Sequence, residues 1–355
     1  MAHLIAWLLV AATAATTLLA VAVSAEKWRR TRSEGRRRRV EADFRPQLIE
    51  WLASEGAQGD GLIDNRSRSD GVASAIDDLA IGMMSKLRGE DRRLLRDLLE
   101  RRNAFVRAIA ETRSIFAVRR ARAVELLGDG EVRAALPEMT RLLDDRSLEV
   151  RKAAARALGK LGEPISVTVL IRALAQRQVP ASVVGMAILH IGMSASDPLG
   201  ASLSAPEPRE RALAADCLGA LGALGAVPGL VQLVGREADP GVLRPAIRAL
   251  GRIGSPDGIA VLTSVLGSAV DPEVRAEAVA ALGWIGGDAA RSGVEGALGD
   301  GKALVLRAAT KSLRRLGPAG VERLREVAAT DGPQGAFARE ALDASAVELS
   351  ARRAA

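Results

Sequence analysis

The 355-residue chain has no tyrosine, two histidines and one cysteine, and its aromatic content is 2%. Because Cys217 is alone, no disulfide can form within the chain, and a Cys–His nucleophile pair would have to combine it with His190. A histidine-based metal site needs several converging ligands, which two histidines do not supply. The shortage of aromatic side chains also removes the platforms on which single-stranded nucleic acids stack. We therefore predict a non-enzymatic protein without a metal or cofactor, with nucleic acid disfavoured as a ligand and Cys217 a small buried residue.

A phrase that ends in glycine recurs through the second half of the chain. It reads VRKAAARALGKLG at Val150–Gly162 and VRAEAVAALGWIG at Val274–Gly286. Its closing glycines follow one another at intervals of 30 to 32 residues, and they are Gly162, Gly192, Gly222, Gly254, Gly286 and Gly317. A fixed period of this length is typical of a solenoid, in which supersecondary units stack and present an extended binding surface.

Each repeat is predicted to be a helical hairpin. In the repeat near residue 275, Asp271 is a favoured N-cap, and Val274, Ala278 and Leu282 then fall on one face of a helix. The preceding segment, Pro256–Gly267, carries a second short apolar helix. One hairpin cannot bury both apolar faces, so neighbouring hairpins must stack.

The recurring phrase resembles the HEAT repeat, in the short bacterial form called PBS-lyase HEAT-like, over Phe116–Ala355. The resemblance implies an all-α, right-handed α-solenoid of about seven short helical hairpins. It implies that the Val-Arg helix is the second of each pair and lines the concave face. It also implies that an Asp before this helix and the Arg after its Val tie repeats together. Asp145 with Arg151 and Asp271 with Arg275 match this pattern, whereas Leu243 and Leu306 replace the Arg and should break the ladder.

The two ends of the repeat array depart from the phrase, as expected of solenoid caps. The first unit, Phe116–Asp144, is predicted to be out of register, with Arg119 where Val is expected, and Ala336–Ala355 to be a lone closing helix. Residues 42–115 are predicted to form a helical cap over the first repeat. Its predicted helices span 42–53, 72–87, 91–101 and 104–112, with a Gly/Asp/Ser-rich loop at 56–71. The basic charges of this cap either are a solvated face or dock an acidic partner or the membrane.

Residues 1–26 are predicted to be a membrane anchor. Leu4–Ala25 is a run of 22 uncharged residues, and about 20 suffice to cross the hydrocarbon core. Trp7 and Trp28 bracket the run, as interfacial aromatics do. A cleaved signal peptide is the alternative, since Val23–Ala25 looks like a cleavage site. Against it, no positive charge precedes the apolar run, and the run is longer than that of a typical signal peptide.

A basic juxtamembrane arm follows at residues 27–41. Its cations are Lys27, Arg29, Arg30, Arg32, Arg36, Arg37, Arg38 and Arg39. Such a density of positive charge next to a span stays in the cytoplasm, and it also attracts anionic lipid. We therefore predict a single-pass protein of the inner membrane, with its N-terminus outside and the repeat domain, 116–355, in the cytoplasm. The chain as a whole resembles bacterial membrane-anchored HEAT-repeat proteins.

The second and sixth residues after each Val position are predicted to point away from the buried stripe. Six of these twelve residues are basic, and they are Lys152, Arg156, Arg244, Arg248, Arg307 and Lys311. Stacking would align them into a partly basic row that suits an acidic or phosphorylated protein segment. The alternative is that they are ordinary exposed helix positions, where Arg and Lys are favoured. Trp284, predicted in an inter-helix turn, either packs on the next repeat or anchors a partner.

These features predict a membrane-tethered protein-binding scaffold or accessory subunit for a cytoplasmic or integral-membrane partner. The resemblance to membrane-anchored HEAT-repeat proteins implies a membrane glycosyltransferase as one such partner. An enzyme or enzyme subunit of the HEAT-like lyase or hydroxylase type is the alternative. HEAT-like hydroxylases with a dinuclear iron site carry repeated His-Glu pairs, and the sequence has none. A nucleic-acid-binding solenoid is a third and weaker alternative.

Overall fold

The computed structural model describes residues 42–54, 70–84, 86–268 and 271–354. Throughout these ranges the chain forms helices and loops and contains no strand. None of the helices in the described ranges is long and apolar enough to cross a membrane. The predicted anchor at 1–26 and arm at 27–41 lie outside the described residues.

The chain divides into two compact units, one ending at Ala110 and the other beginning at Glu111. The described helices that begin in the first unit are α1 (42–53), α2 (Asp70–Met84), α3 (Glu90–Arg101) and α4 (Ala104–Glu111). All four helices predicted in this region are therefore present. The predicted loop 56–71 is wrong at its end, because Asp70 and Gly71 already belong to α2. Its remaining residues lie outside the described part of the chain.

A buried ion pair lies inside the first unit. Arg102, only 1% exposed, donates from its Nε to Asp77 Oδ1 at 2.6 Å. The other carboxylate oxygen of Asp77 accepts from Arg107. Buried charges persist where they are paired and hydrogen-bonded, which is the case here.

The second unit is a regular array of short helices. In chain order they are α5 (Ala117–Asp129), α6 (Leu136–Arg141), α7 (Leu148–Leu161), α8 (Ile165–Ala175), α9 (Ala181–Ile191), α10 (Ser196–Ser202), α11 (Pro208–Leu221), α12 (Val227–Arg236), α13 (Pro240–Ile253), α14 (Ile259–Leu266), α15 (Pro272–Ile285), α16 (Gly287–Gly296), α17 (Ala303–Arg315), α18 (Pro318–Ala328) and α19 (Pro333–Ala354). The odd-numbered helices α7 to α17 carry the recurring phrase, and together with α5, which lies one repeat before them, they are called the repeat helices. The even-numbered helices α6 to α18 are called the connecting helices.

The repeat helices lie side by side and form one layer, and the connecting helices pack on them as a second layer. The apolar residues of the phrase form the core between the layers; Val150, Leu158, Val274 and Leu282 are all 0% exposed. Each such side chain stabilises the fold by about 1.5–3 kcal/mol through burial. α19 packs on α17 and α18 and closes the array, as predicted. The expected stacked helical hairpins are thus confirmed.

Glycine allows the repeat helices to approach one another closely. A Cβ built on Gly219 would lie 2.5 Å from the Cα of Ala249, and one on Gly251 would lie 2.8 Å from the Cα of Ala281. At these junctions the spacing between neighbouring repeat helices is therefore set by a glycine on one helix facing an alanine on the next. The phrase ends at a second glycine, for example Gly222 at φ 66°, in the left-handed conformation that ends helices.

The first repeat of the array, 116–144, is in register with the later repeats, which corrects the prediction that it is out of register. Gly128 of α5 faces Ala157 just as Gly159 of α7 faces Ala187. Glu131 takes a positive φ of 52° one period before Gly162. This repeat therefore stacks like the later ones, but other residue types stand at the Val and closing-glycine positions, so its sequence does not show the phrase.

Candidate protein-interaction surface

Arginines of the repeat helices bind carboxylates of the following repeat. Arg120 of α5 donates from its Nε and Nη2 to the two carboxylate oxygens of Asp145, at 2.7 and 2.8 Å. Asp145 also accepts from the Ser147 backbone N–H, which orders the start of α7. Both charged side chains are more than nine-tenths buried. A two-bond arginine–carboxylate pair therefore joins these two repeats.

The same link recurs twice more along the array. Arg211 reaches Glu237 at 2.8 Å, and Arg275 reaches Asp300 at 2.8 Å. Each carboxylate lies five residues before the Val position of its phrase. The resemblance matched an Asp and an Arg of the same phrase, but the structure pairs the Arg with the acid of the next one. Asp271 instead caps its own helix through the Glu273 N–H at 2.7 Å.

The ladder is interrupted where the sequence predicted it. Leu243 and Leu306 occupy the Arg position and are 3% and 4% exposed, so they extend the apolar core. The ladder is also interrupted at Arg151, for a different reason. Ala175, and not an acid, lies five residues before the Val position of the next repeat. Its guanidinium donates to two backbone oxygens instead, Gln178 O at 2.6 Å and Asp145 O at 2.7 Å.

The ladder carboxylates are held in their ionised form. Burial alone would raise the pKa of Asp145, but hydrogen bonds from Arg120 and from the Ser147 N–H outweigh it and lower the pKa. The hydrogen bond from Arg275 lowers the pKa of Asp300. The bond to Asp145 correspondingly raises the pKa of Arg120. The ladder therefore consists of charged pairs at neutral pH.

The predicted basic row lies on the repeat helices α7, α13 and α17, and each of its cations is exposed or half-buried. Most of them have carboxylate partners. Lys152 pairs with Glu149 at 3.0 Å, and Arg156 pairs with Glu125 of α5 at 2.7 Å. Arg307 has a longer contact with Glu340, at 3.9 Å. The exposed Lys311 has no ion pair or side-chain hydrogen bond with any residue in the described ranges.

The pairing is densest on α13. Arg248 lies 3.1 Å from Glu277 and 3.5 Å from Asp216, and Arg244 pairs with Glu273. These partners stand 29 to 32 residues away, on the adjacent repeat helices. The row is therefore a lattice of alternating charge rather than an uncompensated positive stripe. These acids were not predicted from the sequence, although their separation from the arginines by one repeat period was a signal. The role of the row in binding stays a prediction.

Trp284 lies in the last turn of α15, not in the turn between helices as predicted. Its side chain is 60% exposed, and the Arg315 guanidinium of α17 lies 3.6 Å from the centre of its ring. It borders a shallow groove of about 210 Å³ that Arg248, Arg252 and Glu277 also line. The exposed Arg252 has no ion pair with any described residue. Trp284, Arg315 and Arg252 are called the tryptophan cluster.

Cys217 is buried at 3% exposure, as predicted. Burial, with a smaller contribution from Asp216, raises the pKa of its thiol to about 12, so the sulfur is protonated at neutral pH. In the part of the chain that the structure describes, no three His, Cys, Asp or Glu side chains are grouped closely enough to hold a metal ion.

The family model for HEAT repeats matches residues 112–188, 196–283 and 259–343. These ranges cover more than half of the chain, and the protein belongs to the HEAT-repeat family. No curated protein sequence matches the chain.

Three solved structures illustrate the similarity. Kap121p is 16% identical with a TM-score of 0.51, over 83% of this chain and 37% of that one. Human deoxyhypusine hydroxylase is 16% identical with a TM-score of 0.32, over 76% of this chain and 97% of that one. The CpcE–CpcF complex of phycocyanin lyase from Nostoc sp. PCC7120 is 23% identical with a TM-score of 0.29, over 66% and 84%. At these identities the similarity concerns the fold.

Proposed function

We propose that this HEAT-repeat protein is a non-catalytic scaffold or accessory subunit that binds a protein partner on its layer of repeat helices. The observation that carries the proposal is the exposed Trp284 beside Arg315 and beside Arg252, which has no ion pair with any described residue. Tryptophan and arginine are the residues most enriched among binding hot spots, where truncation costs about 2 kcal/mol or more. Stacking under Arg315 orders the indole before binding, which reduces the entropy that binding would cost.

The surrounding charges favour a polar and partly acidic partner segment. Among the described residues Arg252 and Lys311 have no carboxylate partner, whereas Arg244 and Arg248 are already compensated by Glu273 and Glu277. An acidic or phosphorylated segment would therefore gain most from the tryptophan cluster and Lys311. The karyopherin Kap121p has been crystallised bound to the SUMO protease Ulp1p, so a protein with this fold binds another protein.

The N-terminal sequence adds the location to the proposal. The uncharged run Leu4–Ala25 and the basic arm 27–41 would tether the repeats at the cytoplasmic face of a bacterial inner membrane, with anionic lipid at the arm. The partner would then be a cytoplasmic protein or an integral-membrane enzyme such as a glycosyltransferase. A reporter fused to the C-terminus and active only in the periplasm tests this topology, and its activity would refute it.

The binding role is tested by crosslinking in native membranes followed by mass spectrometry of the purified complexes. The test variant carries Trp284→Ala and Lys311→Glu, both at exposed positions. The control is Leu224→Ala, which removes a side chain that is 67% exposed in the short 3-10 helix just before connecting helix α12. We expect a partner that is captured by the wild type and the control but lost by the test variant. Equal capture by all three would refute binding at the tryptophan cluster.

A further inference from the structure

Repeat helix α9 breaks the pattern of its neighbours at two positions. Ala181 stands where Arg151 and Arg211 stand in the adjacent repeats, and Leu189 stands where the phrase has its first glycine. The following helix has Cys217 where Ala249 lies one repeat later. Larger residues thus replace the close glycine–alanine contact, and α9 and α11 are packed least closely of the successive repeat helices.

A groove of about 620 Å³ lies at this junction, bordered by α7, the α8–α9 loop, α11 and α13. Its lining is mostly apolar and includes Leu148, Val179 and Leu213. Leu148 is 41% exposed, a large apolar side chain left accessible to solvent. The groove is large enough for an apolar side chain and the adjoining backbone of an extended peptide.

The charges around the groove are unbalanced. Arg151, the ladder arginine without a carboxylate, lines it together with Arg177 and Arg209. Arg177 and Arg209 are exposed, and neither has an ion pair or side-chain hydrogen bond with a described residue. Against these three cations the described lining offers one carboxylate, Asp216, which already lies 3.5 Å from Arg248.

The backbone at Arg177 supports a role for that side chain. Arg177 adopts φ 56°, a left-handed conformation that costs a residue with a Cβ about 1–2 kcal/mol. Glycine or asparagine would relieve this strain at the end of α8. Strain of this kind clusters at binding sites, where the side chain is needed.

We propose that this groove binds an extended acidic segment of a partner protein, with an apolar side chain against Leu148 and Leu213 and a carboxylate against Arg151, whose partners among the described residues are two backbone oxygens. The inference rests on the proposed protein-binding role and assigns it a second contact site. Charge excludes the protein's own basic arm as the occupant, because residues 27–39 carry eight cations and one anion. An arginine-lined groove repels such a segment.

Fluorescence anisotropy with the detergent-solubilised full chain tests the groove. The probe is a labelled Gly/Ser peptide that carries two leucines flanked by glutamates. One control peptide replaces the leucines with serine, and another replaces the glutamates with lysine. We expect the Leu/Glu peptide to bind at least about tenfold more tightly than either control, a difference of about 1.4 kcal/mol.

Two variants of the protein locate the site. Arg177→Glu with Arg209→Glu reverses the rim charge, and Ala181→Trp fills the groove from an exposed position without changing charge. Each variant should bind the Leu/Glu peptide at least about tenfold more weakly than the wild type does. The matched control, Arg101→Glu with Arg172→Glu, makes the same charge change at exposed arginines outside the lining and should leave binding unchanged.

The proposal would be overturned if the serine peptide bound as tightly as the Leu/Glu peptide, or if a polyuridylate strand did. Either result would show that the groove attracts negative charge alone. Binding that survives both groove variants would overturn it as well. These results leave the proposed function standing as long as a partner is still captured through the tryptophan cluster. Equal capture of the partner by the wild type, the control and the Trp284 variant, with peptide binding intact, would refute the tryptophan cluster and keep the groove.

Discussion

The Gly219→Ala substitution adds one methyl group where repeat helices α11 and α13 touch. The new Cβ would lie 2.5 Å from the Cα and 2.8 Å from the Cβ of Ala249, whereas carbon atoms pack at about 3.5–4.0 Å. The obstructing atoms belong to helix backbone and a methyl group, so no flexible side chain can move aside. The two helices must therefore separate by about 1 Å.

The cost follows from two opposing terms. Overpacking of this kind costs about 1–3 kcal/mol, while replacing a helical glycine with alanine returns about 0.5–1 kcal/mol. The difference is a loss of about 0–2.5 kcal/mol with a midpoint of about 1 kcal/mol, and a loss of about 1 kcal/mol in a unit of this size lowers Tm by about 2–4 °C. The assay is thermal unfolding followed by circular dichroism.

The matched control is Gly235→Ala in α12, where an added Cβ meets nothing within 4 Å. It should gain about 0.5–1 kcal/mol, because only the helix-propensity term applies. Combining Gly219→Ala with Ala249→Gly should restore part of the lost stability, since the second change removes the methyl group that the first one strikes. Refutation would be a Gly219→Ala protein that is as stable as the Gly235→Ala control, or a double variant without recovery.

Three further predictions concern the ladder and the buried thiol. Asp145→Asn leaves the buried Arg120 without a charge partner and should cost about 3 kcal/mol in denaturant unfolding, whereas a loss below about 1 kcal/mol would contradict the assigned burial. The folded-state pKa values of Asp145, Glu237 and Asp300 are lowered, so their contribution to stability is complete above the unfolded-state pKa of about 4 and is lost as the pH falls through the folded-state values. The denaturant midpoint of unfolding should therefore decrease as the pH is lowered below about 4, and it should decrease less steeply for Asp145→Asn. Cys217 should react with a thiol reagent at pH 8 only as fast as the protein unfolds, and rapid labelling of the native protein would show that the thiol is accessible.

The helical repeat, its period and its buried stripe were predictable because each is local. The positions of Val274, Ala278 and Leu282 follow from helix geometry, and the closing glycines follow from the conformation that ends a helix. The ladder breaks at Leu243 and Leu306 were predictable for the same reason, since an apolar side chain cannot bond a carboxylate.

The first repeat shows where this reasoning stops. Arg119 stands at the Val position and Glu131 at the closing-glycine position. Gly128 and Arg120 nevertheless occupy the same positions as the corresponding glycines and arginines of later repeats. The residue types of the phrase differ in this repeat, but the structural positions in the stacked array are the same. Only contacts with the next repeat reveal the register.

The sequence by itself determined that the chain stacks short helical hairpins, which face of each helix carries the core, and where a glycine ends a helix. Tertiary structure decided how side chains one repeat apart meet. It compensated Arg244 and Arg248 with Glu273 and Glu277, and it left Arg252 and Arg177 without ion pairs among the described residues. It also placed Trp284 under Arg315 and opened a groove beside α9. Helical periodicity acts within one segment, whereas charge pairing and groove formation depend on the distance between segments about 30 residues apart, which packing alone sets.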